Sequence, residues 1–247
     1  MANALANLQS SIDRVRSITA DIDVNAVAAL ADPVVQDRHE TILCASTVIL
    51  SGFFESFLRE IAEEVVTAIC ACSIPFGNLP DRVRVTHLWE GAKRVSEFAR
   101  QERSEDPIVL AKASDAARRL ASVAGPALPY EIMWEAFAET QANPGPSQIS
   151  DFLKRFGIEN PIPTLAATVG VGENTLVIGL RSFLGVRNEC AHTGSATTIP
   201  TSTDVRGYCD LIQNVGGGID TLFNDLLSKP PYAPLPAAPA SAPTPAP

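Results

Sequence analysis

In the stretch VRNECAHTG, Val186 to Gly194, an arginine, an asparagine and one of the chain's three histidines stand close together as Arg187, Asn188 and His192. A guanidinium is a permanent planar cation whose fork matches phosphate oxygens. An imidazole with an ordinary pKa of about 6.5 gives or takes a proton near neutrality. An asparagine amide both donates and accepts, so it can fix a neighbour's orientation. Together these groups suit binding of a phosphate with proton transfer beside it.

Spacing sharpens that reading. The residues before the stretch, LVIGLRSFLGV, are amphipathic and predict a helix from about 174 to 192, stopped by Gly194 in the position after the cap. At roughly 100° per residue, Leu180, Leu184, Arg187 and Ala191 share one narrow face, which places Arg187 in the inward stripe. A guanidinium there needs a partner, because an unpaired buried charge costs on the order of several kcal/mol. Glu55 is one candidate. Gly185, Asn188 and His192 stack along the adjoining edge. Gly185 removes bulk where another helix or a ligand can approach. Asn188 is spaced to hold a ring nitrogen of His192 one turn away. His192 falls in the last turn, where free carbonyls favour a protonated imidazole. The plain alternative is a solvated helix end capped by a histidine.

The elements that must position these residues are helical. Leu5, Leu8, Ile12, Val15 and Ile18 recur at helical spacing within residues 4–30, and Asp32-Pro33 marks a break. The strongest helix runs from about 35 to 70, with Leu50, Phe54, Phe57, Leu58, Ile61, Val65 and Ile69 as its apolar stripe. Its length suits the backbone of a helical bundle. Further helices are predicted at about 82–102 and 106–122. A short one follows NPGPSQIS, with Ser147 or Ser150 as its cap. Residues 156–173, with two prolines, read as irregular. A last helix, capped by Ser202 or Thr203, reaches Leu227, and Gly216-Gly217-Gly218 either bends it or marks close packing. From Lys229 the Pro/Ala-rich sequence cannot bury a core. The predicted fold is therefore all-α: one helical bundle over 1–228 with an insert at about 75–170, and a disordered tail over 229–247.

Composition narrows the partners. A formal charge of -9 argues against general affinity for nucleic acid and confines any such contact to a focused cleft. Five scattered cysteines, without a basic-then-apolar leader, point to reduced thiols in a cytoplasmic protein. The apolar segment TILCASTVILSGFFESFL carries Glu55 and soon meets Arg59, which reads as too short and too amphipathic to span a membrane. A zinc set of Cys70, Cys72, Cys190 and His192 lacks the usual spacer between its first two cysteines. TVGVGENT has no third glycine and VGGGID lacks the Lys-Ser/Thr of a phosphate loop, so no cofactor or metal is expected. His39 and His87 read as ordinary surface or core histidines.

RNECAH after an amphipathic run resembles the Arg-Asn-x-x-x-His signature of HEPN domains, and ILSGFFESFLREI is similar to the first helix of the RiboL-PSP-HEPN subgroup and of related MAE_28990-like HEPN proteins. The resemblance covers about 38–70 and 174–228. It implies a HEPN-like helical bundle with additional helices, dimerising so that two motifs line one cleft. Many such proteins are metal-independent endoribonucleases of toxin–antitoxin or antiphage systems, and some are non-catalytic. Carried over, it assigns Arg187 to the scissile phosphate, His192 to proton transfer and Asn188 to positioning. The implied partners are an RNA substrate, a second copy and an antitoxin or defence protein. The other reading is a non-catalytic module for dimerisation and partner binding. One HEPN branch carries a tyrosine shortly after the motif histidine as a target of nucleotide modification. Thr193, Gly194 and Ser195 stand here instead.

Overall fold

Asp32 and Pro33 divide the first two helices for a local reason. Asp32 is extended, its carboxylate accepts a hydrogen bond from the Val34 amide at 2.9 Å, and Pro33 occupies the first helical position, where no N–H is needed. A computed structural model describes residues 3–25, 27, 31–100, 107–125, 129–138, 144–193 and 196–233. Helix α1 is Asn3–Val24 and α2 is Pro33–Ala71. At 39 residues α2 is ~58 Å long. All seven residues of its predicted stripe are buried. Near the start of α1 the Ala4 amide donates to Glu64 and Asn7 donates to Glu60, so the two helices run antiparallel.

By length and hydropathy α2 is the one helix among the described residues able to cross a bilayer, with a mean hydropathy of 1.6 over its most apolar window. Its length is therefore sufficient for a span, contrary to the sequence expectation. Half of that window is buried inside the bundle, where α2 packs on α1 and on the two last helices, as a core helix does.

The middle of the chain adds α3 (Asp81–Arg100) and α4 (Pro107–Ser122), packed as a hairpin. Residues 129–138 then run without regular structure except one 3-10 turn at Trp134–Ala136. Tyr130, Ile132, Met133 and Phe137 from this run are buried. Helix α5 (Pro146–Arg155) starts at Gly145 with no side-chain cap, so neither Ser147 nor Ser150 caps it. The backbone is already helical at Pro146, upstream of both serines.

Residues expected to be irregular contain α6, Pro161–Val169. Its two prolines sit in the first turn, whose amides have no intrahelical acceptor, so they permit the helix rather than break it. Gly170, at φ 78, closes it in the left-handed conformation. Helices α7 (Glu173–Thr193) and α8 (Ser202–Leu227) complete the bundle. Thr201 caps α8 one residue before the expected position, in a reciprocal box with Asp204. The helix is continuous through its three glycines. A Cβ on Gly216 would lie 2.5 Å from Leu8 Cδ2, and one on Gly218 would lie 2.6 Å from Val169 Cγ2. These glycines let α1 and α6 approach α8 closely.

One apolar core, running from Ala4 to Tyr232, joins the early helices, the middle segment and α8. Phe156 lies 4.8 Å from both Phe137 and Phe223, ring to ring, and so ties the middle segment to the last helix. The bundle boundary lies beyond the expected 228: Lys229 to Ala233 form a turn that buries Tyr232. The rest of the Pro/Ala-rich tail, 234–247, and the expected stop at Gly194 lie outside the described residues.

Candidate functional site

Helix α7 buries Leu176, Leu180, Phe183 and Cys190, in steps of four and three residues. Continuing that rhythm from Phe183 places Arg187 on the seam, one step before Cys190. Arg187 is half-buried as expected, but the seam leaves through Cys190, and Ala191 is exposed. Both series alternate four- and three-residue steps and meet at Arg187; the buried one leaves Leu180 by a step of three, to Phe183, where the expected one took a step of four, to Leu184. The last turn is clamped by a small apolar cluster in which Cys190 packs with Cys44 of α2 and with Ala196 beyond the helix. Burial and the hydrogen-bonded Cys44 thiol push the Cys190 thiol up to about 12.

Arg187 interrupts an otherwise apolar line. Its Nη1 donates to Asn188 Oδ1 at 3.2 Å, and its Nε is buried without a hydrogen-bond partner. The neighbouring amide is therefore a hydrogen-bond partner of the guanidinium. The Asn188 oxygen is engaged by the guanidinium, and among the described residues no hydrogen bond joins Asn188 to His192. The long arginine side chain reaches across to the adjacent residue, while the histidine ring stands free of it. His192 is exposed in the last turn of α7.

The outer line of α7 runs through Ile178, Ser182, Gly185, Glu189 and His192, all exposed. A Cβ built on Gly185 meets nothing within 4 Å. The helix is thus open to a ligand or another helix along the edge that carries the histidine. Glu189 accepts the Thr197 amide at 2.7 Å, which ties the following loop back to α7.

Ion pairs fasten the same end of the bundle from the other side. Arg16 of α1 meets Asp210 of α8 at 2.6 Å, and Asp23 takes hydrogen bonds from Ser202 and Arg206. Those two donors, Ser202 first, hold the Asp23 carboxyl below its ordinary value. His39, read from the sequence as an ordinary histidine, lines with Arg38 a groove of about 470 Å³ where the end of α1 meets the start of α2. The zinc set considered from sequence is split by the fold. Cys190 packs on Cys44, whereas Cys70 lies 26 residues further along α2, ~39 Å away.

The long helix is present as α2, and α7 carries a half-buried Arg187 and, in its last turn, an exposed His192. The chain matches the RiboL-PSP-HEPN family model over residues 9–225. It belongs to that family. No curated protein and no solved structure matches the chain. The family match extends from α1 to α8, so the segment at 75–170, which the two-block resemblance left outside, lies within the matched range.

His87 is the contrasting histidine of this RiboL-PSP-HEPN protein. It is fully buried on α3, its Nδ1 accepts the Met133 amide at 3.2 Å, and Phe76 stands edge-on at 5.6 Å. Burial drives its pKa down to about 4. It is a neutral core histidine that fixes the backbone of the middle segment.

Proposed function

We propose that this RiboL-PSP-HEPN protein is a metal-independent endoribonuclease that acts as a homodimer, in the cytoplasm, as the effector of a toxin or antiphage module. The observation that carries the reading is the placement of Arg187 on the seam, bonded to Asn188, one and a half turns before an exposed His192 on a helix edge left open by Gly185. In this mechanism His192 takes the proton from a ribose 2′-OH. The freed oxygen attacks the adjacent phosphorus, the bond to the 5′-oxygen breaks, and a 2′,3′-cyclic phosphate remains. Arg187 stabilises the charge that grows on the non-bridging oxygens. A second protomer, packed along the exposed outer line of α7, supplies its own histidine to protonate the leaving 5′-oxygen.

The test is cleavage of RNA by wild type, His192→Ala and Arg187→Ala in the presence of a chelator. Each substitution is expected to lower the rate by about 10²–10³-fold or more, with cyclic phosphate ends on the wild-type products. Cleavage undiminished in both folded variants rules out the assigned roles. A second reading, a non-catalytic module that docks a partner, is favoured by one feature of α3, which exposes Val85, Leu88 and Trp89. A stable partner complex lost on Trp89→Ala, with no cleavage by wild type, selects it.

A further inference from the structure

A cleft of about 420 Å³ opens where α3, α4 and the turn at 133–135 meet. Arg94, Lys112 and Arg119 line it, against Asp115 and Glu135. Cations thus outnumber carboxylates there, in a chain where carboxylates prevail by 28 to 19. The two carboxylates are already engaged: Arg119 meets Asp115 at 2.8 Å and Glu135 at 3.5 Å, and Arg118 holds Asp115 from outside at 2.7 Å.

Arg94 and Lys112 have no such counter-charge among the described residues, where neither makes an ion pair. Arg94 donates from Nη2 to the Glu135 carbonyl at 2.9 Å, a task a neutral donor performs equally well, and its Nε is buried without a partner. A half-buried guanidinium with an unanswered nitrogen is costly to hold in a fold that makes no other use of its charge. An anion placed between Arg94 and Lys112 answers it.

We infer that this cleft binds a phosphomonoester carried on a hydroxyl-bearing body, that is, a sugar phosphate or a nucleoside monophosphate. Phosphate oxygens take the planar fork of Arg94 and the point charge of Lys112. Asp115 and Glu135 keep acceptor capacity beyond their arginine contacts, and sugar hydroxyls are the donors that use it. Met133 and Ala116 supply an apolar floor for the face of a sugar or base. The volume is in the range of small-ligand sites. This site is separate from the α7 motif, and its occupancy does not depend on nuclease chemistry.

The experiment is calorimetric titration of the full-length protein with ribose 5-phosphate, AMP, UMP, adenosine and inorganic phosphate. Saturable binding of at least one phosphomonoester, at least tenfold tighter than both adenosine and inorganic phosphate, supports the inference. AMP or UMP tighter than ribose 5-phosphate identifies a nucleotide; equal affinity identifies a sugar phosphate. Lys112→Gln, at an exposed position, and Arg94→Lys, which keeps the charge, test the assignment without disturbing the fold. Losses of about threefold or more are expected for each, and more than tenfold for Arg94→Gln, while His192→Ala binds as wild type does. No saturable binding by any phosphomonoester, equal binding of inorganic phosphate or adenosine, or indifference to all three cleft substitutions overturns it.

Discussion

His192 and His87 are the same residue type at opposite ends of one bundle, and the fold treats them oppositely. His192 stands exposed in the last turn of α7, at the end where α1 and α8 are fastened by ion pairs. His87 is sealed among aromatic and apolar side chains, with its pKa depressed to about 4. Burial has made one histidine a structural acceptor, while the other is left facing solvent. The contrast teaches that the chemistry of a histidine is set by the packing of its helix, not by its neighbours in sequence.

The sharpest way to break that contrast is to exchange the effects. His192→Ala is expected to lower RNA cleavage by about 10²–10⁴-fold while shifting unfolding free energy by less than about 0.5 kcal/mol. His87→Asn, which keeps an acceptor for the Met133 amide, is expected to do the reverse, with rates near wild type and stability lowered by about 1–2 kcal/mol. Denaturant titration and initial rates on the same preparations decide it. Equal effects on both readouts from either variant erase the distinction.

Acid sharpens it further. The unfolded chain binds a proton at His87 below pH ~6.5, whereas the folded chain resists until about 4. The unfolded state therefore holds more protons in that window, so stability falls as pH drops from about 6.5 to 4 and is unaffected by His87 above it. The loss attributable to this group is about 3 kcal/mol. Subtracting the pH profile of His87→Asn from that of wild type isolates it; superimposable profiles remove the buried-neutral assignment.

Smaller effects compare the two kinds of glycine. Gly216→Ala is expected to destabilise by about 1–3 kcal/mol, because its new methyl meets Leu8 at 2.5 Å. Gly185→Ala fills open space on an exposed helix edge and should stabilise the monomer by roughly 0.5–1 kcal/mol. If α7 packs on a second copy, the same methyl weakens that dimer, which sedimentation at several concentrations detects. The least disruptive change is Arg187→Met. It restores an apolar seam and should raise stability by up to about 1 kcal/mol while abolishing cleavage. A destabilised variant shows that the guanidinium supports the fold.

Much of this was legible in the chain. The α2 stripe and the boundary at Asp32-Pro33 follow from periodicity and capping chemistry, and Arg187 was placed inward from helix phase alone. Three features escaped for identifiable reasons. The prolines of α6 look like breakers unless their register in the first turn is known. The partner of Asn188 depends on which way a long arginine side chain folds, which spacing does not decide. The cleft of Arg94 and Lys112 joins residues from two helices and a turn, whose approach only tertiary packing determines.

The thiols of Cys44 and Cys190 add a last consequence. They touch across the contact that holds the end of α7 on α2, and both are shielded from water. A thiol reagent reaches them only when that last turn peels away. The speed of their alkylation is therefore a clock of how often the helix end carrying His192 comes loose, readable without any substrate.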